Sequence, residues 1–317
     1  MHTRFPYVRS LAGAAALIGA TVVSLGAQQQ TPEPPSQPQE VFRSAVDVVT
    51  IQASVRDGRG RALSGLTAAD FEVRDNGQIR PVLSLRSDQR SPLSLAFLVD
   101  MSGSMRVGPK IDMTRRAFQA MLSQLGETND EAALFTFDSA LHERQDFTGD
   151  LVRLQSALTD FRPFGTTSLY DATASTARRL ANRSGTRKAI IVLTDGIDTS
   201  SSLTASEVSG LASSIDVPVY IVATVPSLDQ RLMIERADRL SDGAADLRDL
   251  AEWTGGRLIF ASSFGESTAV AARLVTELRQ QYVLAIEAAG AREWRRLDVR
   301  VRQPSATVKA RSGYFGG

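Results

Sequence analysis

Asp100, Ser102 and Ser104 fall at alternate positions in the stretch Leu95 to Met105, which reads L-A-F-L-V-D-M-S-G-S-M. One carboxylate and two hydroxyls offer only hard oxygen donors. Donors of that kind suit Mg²⁺ or Mn²⁺ rather than zinc. Hard oxygens recur in two later places, the pair Thr166 and Thr167 in F-G-T-T-S and Asp195 in L-T-D-G.

These residues can act together only if the fold brings them to one place. Leu93 to Val99 is a short apolar run bounded by Pro92, which predicts a buried strand ending at Asp100. Behind it, Ile111, Thr114, Phe118, Met121, Leu122 and Leu125 share one helical face. Glu131 to Phe137 is a predicted strand, Leu151 to Leu158 a short helix, and a further helix begins at Leu169. Lys188 opens A-I-I-V-L, a second fully apolar strand that ends in Thr194-Asp195-Gly196. Val208, Leu211, Ala212 and Ile215 form an amphipathic face before the strand Pro218 to Val225. Leu247 to Trp253 is helical and stopped by Gly255-Gly256, Arg257 to Ala261 is a strand, and Val270, Leu274, Val275 and Leu278 mark a last helix. This alternation predicts an α/β fold with a doubly wound, mostly parallel sheet flanked by helices. Ligands of such sheets bind at the carboxyl ends of the strands, where Asp100, Thr166, Thr167 and Asp195 are all expected.

The flanks have a different period. Val49, Ile51, Ala53 and Val55 alternate with polar neighbours, Phe71 to Arg74 and Ile79 to Leu85 read as a hairpin about Asp75-Asn76-Gly77, and Tyr282 to Ala288, Leu297 to Arg302 and Thr307 to Arg311 are half-buried strands. Neither flank has enough strands to close a core. The expectation is that residues 41–90 pair with 282–317 in a small β-sandwich-like module, into which residues 91–281 are inserted. Arg292, Arg295, Arg296, Arg300 and Arg302 read as a solvated strand face, and Trp253 and Trp294 as packing residues.

Ahead of these domains, His2, Arg4 and Arg9 precede an apolar run of about fifteen residues ending in small residues at Ala27, the layout of a secretory signal peptide. The predicted cleavage follows Ala27, with an uncleaved anchor as the alternative. Without residues 1–27 no stable membrane span remains, which places the protein in the periplasm or outside the cell. Residues 28–40 form a Pro/Gln-rich linker.

Composition excludes several chemistries. The 317-residue chain has no cysteine, so disulfides, thiolate nucleophiles and cysteine zinc sites are ruled out. Outside the leader His142 is the one histidine, and no motif around it supports a Ser-His-Asp triad. Losing residues 1–27 removes two arginines and no acid, leaving 34 basic against 35 acidic residues, so no global charge favours nucleic acid.

The pattern D-M-S-G-S, the later Thr167 in G-T-T-S-L-Y-D-A and Asp195 in L-T-D-G resemble the metal-ion-dependent adhesion site of von Willebrand factor type A domains. The resemblance covers about residues 93–281. It implies that Ser102 and Ser104 coordinate a cation through their hydroxyls, that Thr167 joins in one ligand state, and that Asp100 and Asp195 act directly or through water. A single glycine, Gly165, stands where a double glycine is common, so Thr166 and Thr167 are both in position; the spacing to Leu169-Tyr170-Asp171 favours Thr167. Asp138, Asp171 and Asp198 sit near the same rim, and Asp198 is retained as a residue that supports a ligand from behind. The flanking segments V-D-V-V-T-I, G-L-T-A-A-D-F-E-V and V-K-A-R-S-G-Y-F are similar to the exported VWFA-related family first described in Acidobacteria.

The expected function is a non-enzymatic, exported binding module that holds Mg²⁺ or Mn²⁺ and captures an acidic side chain of a protein partner. Neutral hydroxyls leave such a cation electron-poor, so a partner carboxylate can complete its shell. Two other classes remain open from sequence: a metal-assisted hydrolase, for which no general base or phosphate-cradling loop is evident, and a structural envelope component.

Overall fold

The computed structural model describes residues 47–87, 91–126, 129–158, 162–185, 187–196, 198–225, 244–290 and 293–316. The leader and the Pro/Gln-rich linker lie outside the described residues. Four strands come first: β1 (Val48–Arg56), β2 (Phe71–Asp75), β3 (Gln78–Arg80) and β4 (Val82–Arg86). The α/β body follows with β5 (Leu93–Asp100), α1 (Lys110–Leu122), β6 (Glu131–Phe137), β7 (Leu141–Thr148), α2 (Leu151–Ser156) and α3 (Leu169–Ala181). It continues with β8 (Arg187–Thr194), α4 (Ala205–Ser214), β9 (Val219–Thr224), α5 (Ala244–Trp253), β10 (Arg257–Ala261) and α6 (Phe264–Arg279). The chain ends in β11 (Tyr282–Glu287), β12 (Trp294–Val301), β13 (Thr307–Ala310) and β14 (Gly313–Phe315). Among the described residues no helix is long and apolar enough to cross a membrane.

The body is built on a six-stranded sheet of order β10-β9-β8-β5-β6-β7, parallel except for β7. Strands β5 and β9 are buried along their whole length, as parallel strands covered on both faces must be. Their alternate side chains feed two cores. Phe97 and Val99 pack with Phe118 of α1, Leu154 of α2 and Leu274 of α6 on one face. On the other, Ala96 and Leu98 pack with Ala177 of α3, Val208 of α4 and Leu250 of α5. Phe97 and Phe118 meet edge to face at 4.9 Å, the favoured geometry for two ring quadrupoles. At the end of α5, Gly256 runs so close to β9 that a Cβ would lie 2.0 Å from the Val219 carbonyl oxygen; only glycine fits.

Strands from both flanks make two four-stranded antiparallel sheets, β13-β1-β11-β4 and β14-β12-β2-β3. Ile51, Val55, Phe71, Tyr282, Leu284, Leu297 and Tyr314 fill the core they share. Three features of this region depart from the pattern expected of its residues. First, Ile79 to Leu85 is not one strand of a hairpin: Pro81, which has no N–H to donate, separates β3 from β4, and β4 joins β11 in the other sheet. Second, the polar face of β1 is buried at Gln52 and Ser54, where Gln52 donates to the Asp216 carbonyl at 2.7 Å and Ser54 donates to Glu277 at 3.2 Å in the α/β body. Third, Arg295 does not belong to a solvated face; it is buried and ion-pairs with the fully buried Asp75 at 2.7 Å. Trp253 and Trp294 are also more open than packing residues should be, at 38% and 43% exposure.

Arg311, after β13, ties the two parts together. It is buried, donates to the carbonyls of Ser213 in α4 and Thr50 in β1, and lies 3.5 Å from Asp216. Burial lowers the guanidinium's pKa and raises that of the carboxyl, so each group depends on the other to stay charged. Breaking such a pair strands a charge without its partner. Arg311→Met is therefore expected to destabilise the protein by about 3 to 5 kcal/mol in denaturant titration. The loss should be smaller when Asp216→Asn is added.

Candidate metal centre

The register of the central sheet sets the site. Val99 lies opposite Leu193 in the β5–β8 ladder, so Asp100 and Thr194 finish side by side and Asp195 begins the next loop. Thr194 donates to Asp100 Oδ2 at 2.5 Å, and the Ser102 backbone N–H donates to Oδ1 at 2.8 Å. Asp100 is 0% exposed, and among the described residues no cationic side chain lies within ion-pair distance of it. Burial is the main reason its carboxyl is pushed up to about 6, against the pull of the Thr194 and Ser102 hydrogen bonds; the neighbouring Asp195 charge adds to the rise.

The hydroxyls gather above this carboxylate. Ser102 Oγ and Ser104 Oγ are 3.0 Å apart, and Ser104 Oγ donates to Asp195 Oδ1 at 2.8 Å. Neighbouring ligands of an octahedral Mg²⁺ with bonds of about 2.0 to 2.1 Å would be separated by about 2.9 Å. Ser102, Ser104 and Asp195 therefore already present oxygens at the spacing of adjacent coordination positions. With Asp100 buried and no cationic side chain paired with it among the described residues, this donor set fits a small hard divalent ion.

The loop that carries Thr166 and Thr167 is stitched to the residues after β5 by backbone hydrogen bonds. Phe164 N–H donates to the Met101 carbonyl at 2.7 Å, and Gly103 N–H donates to the Gly165 carbonyl at 3.0 Å. The loop turns at Gly165, whose φ of +92° favours glycine, whereas at Gly103 a Cβ would make only an ordinary 3.4 Å contact with that carbonyl. The Thr166 hydroxyl accepts from Ser200 at 2.9 Å, which ties it to the loop after β8. Thr167 holds the same loop by its backbone, accepting from Thr199 and Ser200 N–H at 2.9 and 3.1 Å.

The other acids have structural partners. Asp198 accepts from Tyr170 N–H, Ser201 Oγ and the Ser200 and Ser201 N–H groups, which locks its loop to the start of α3. Asp171 accepts from Ser202 and Leu203 N–H in the same loop. Asp138 holds its own turn through Ala140 N–H and faces His142 at 3.4 Å.

Sequence reasoning missed Lys110. The first residue of α1 turns its ammonium onto Asp195 Oδ2 at 2.6 Å and lies 3.4 Å from the Ser104 carbonyl. Its side chain is only 14% exposed. Nothing in G-P-K-I-D marked it, since a lysine opening a helix reads as solvated. Lys110 balances one of the two carboxylates, and among the described residues no cationic side chain balances the other.

Residues 95–207 match the family model described as von Willebrand factor type A domain. No curated protein matches the chain. Among solved structures, a PilB minor pilin from Streptococcus sanguinis is 15% identical, with a TM-score of 0.48, over 60% of this chain and 62% of its own. The protein BatB from Bacteroides thetaiotaomicron is 16% identical, with a TM-score of 0.46, over 59% of this chain and 98% of its own. Proximal thread matrix protein 1 from the mussel byssus, whose structure is described as having a zinc-occupied MIDAS motif, is 14% identical, with a TM-score of 0.49, over 71% of this chain and 50% of its own. This chain thus spans less than two thirds of the pilin and about half of the byssus protein.

Two outcomes are expected of the site. The Asp100 carboxyl titrates near 3.8 when unfolded and about 6 when folded, so in that window the native state holds a proton that the unfolded state has lost. In chelator, wild-type stability relative to Asp100→Ala should therefore fall as pH rises from 3.8 to about 6. Lys110→Met removes the competing charge and should tighten Mg²⁺ binding about tenfold by calorimetry; unchanged affinity would mean that the ammonium does not compete.

Proposed function

We propose that the von Willebrand factor type A domain carried by this chain is an exported, non-enzymatic binding module. It holds Mg²⁺ or Mn²⁺ with Asp100, Ser102, Ser104, Thr167 and Asp195, and a carboxylate from a protein partner completes the shell. Asp198 positions the loop that faces Thr167. The observation that carries this reading is the buried Asp100 carboxylate, which among the described residues has no cationic side chain beside it, next to Ser102, Ser104 and Asp195 oxygens at coordination spacing. Export rests on the leader-like residues 1–27. In the same reading the binding domain, residues 91–281, is an insertion in the β module of residues 41–90 and 282–317, and the whole is a member of the exported VWFA-related family.

The ligand set explains why the cation would seek an acid. Two serine hydroxyls and a threonine add no negative charge, and Lys110 offsets Asp195, so the ion keeps most of its own charge. Among the described residues, no histidine other than His142 is present, and its ring nitrogen faces Asp138. That arrangement supports capture of a ligand over activation of water.

Calorimetric titration of the full chain with Mg²⁺ should show binding that Asp100→Ala abolishes; an unchanged isotherm in the variant refutes the site. Crosslinking from the native envelope should recover a protein partner that EDTA releases. A partner retained in EDTA would instead favour a structural role.

A further inference from the structure

Away from the Asp100 rim, a cleft of about 540 Å³ opens between the turn after β1, the edge strand β10 and helix α6. Four arginines line it: Arg56 from the end of β1, Arg61 from the turn, Arg257 from β10 and Arg273 from α6. At its base sits Glu277, buried, which accepts from Ser54, Arg56 and, at 3.0 Å, Arg257. Neutralising Glu277 accounts for part of this charge and no more. Arg61 pairs with Asp57 at 2.8 Å, so four guanidiniums meet two carboxylates and two positive charges are left over.

Two details make the surplus specific. Arg257 Nε is buried and has no hydrogen-bond partner, a cost that a folded protein ordinarily avoids. Arg273 spends its own Nε on the Ala269 carbonyl of its helix at 3.2 Å, and among the described residues no carboxylate lies within ion-pair distance of it. The turn is also held in shape. Asp57 accepts from Arg59 and Arg61 N–H at 2.9 Å each, and Arg56 donates to the Gly60 carbonyl at 2.5 Å. Ile259, Val270 and Ala272 give the cleft an apolar wall. Its size is that of a small-molecule site.

We propose that this cleft binds a small organic anion, a phosphate or carboxylate group with an apolar body. The anionic group lies between Arg257 and Arg273, whose planar donors match oxyanion geometry, and the body lies against Ile259 and Val270. The site does not depend on the metal centre. It spans the β module and the α/β body, so an occupant bridges the two.

The test uses the full chain freed of divalent cations, so that phosphate cannot be held by a metal ion at Asp100. Inorganic phosphate and citrate are titrated separately by calorimetry at low salt; binding of either supports the proposal, and the tighter arm identifies the group. Arg273→Met, which leaves the Glu277 contacts intact, should weaken that binding about tenfold, as loss of one charge-assisted hydrogen bond does. Arg257→Lys should weaken it less than Arg257→Met, since the charge remains and the planar fork is lost. Arg296→Met, outside the cleft, should leave it unchanged. Absence of binding in both arms, or affinity untouched by Arg273→Met and Arg257→Met in variants that melt as the wild type does, overturns the proposal.

Discussion

Two carboxylates at the ends of neighbouring parallel strands are the constraint around which this molecule is arranged. The β5–β8 register fixes Asp100 beside Thr194, and Asp195 follows at once. Both acids are almost wholly buried. Burial raises the cost of ionising Asp100, and the neighbouring Asp195 charge raises it further. The surrounding structure offsets that cost in two unequal ways. Asp195 receives an ammonium from Lys110, whereas Asp100 receives the Thr194 hydroxyl and the Ser102 backbone N–H. A divalent cation can supply what remains at Asp100 without displacing either hydrogen bond.

The threonines below the site show how far this arrangement reaches into the core. Thr224 of β9 donates to the Thr194 carbonyl at 3.2 Å, and its hydroxyl lies 3.3 Å from that of Thr114 in α1. A buried polar column thus runs from Asp100 through β8 and β9 to α1, the helix that also carries Lys110. Such a network is stable only when each member finds a partner. The helix that supplies the counter-charge is positioned by the same column.

Much of this was legible in the residues, because parallel strands buried on both faces need unbroken apolar runs, and Leu93 to Val99 and Ala189 to Leu193 are such runs. The rim followed from where they stop. What escaped the reading escaped for physical reasons. Strand β7 is an edge strand whose residues are mostly polar, so no apolar period marks it. Pro81 divides a run whose composition is otherwise uniform, and β14 is only three residues long. Lys110 and Arg295 look solvated in sequence because a long cationic side chain says nothing about the acid it will meet, and Asp195 and Asp75 are 85 and 220 residues away. Partners at that separation are set by topology.

Strand β7 has one more consequence. It closes one margin of the six-stranded sheet with His142, Glu143, Arg144 and Asp146, all four of them exposed. A bare sheet margin invites another chain to add a strand, and charge along it discourages that addition. Many copies crowded at high density would therefore resist zippering into fibrils along this side, and their association would be governed by side-chain recognition, which can be reversed, instead of by backbone templating, which seldom is.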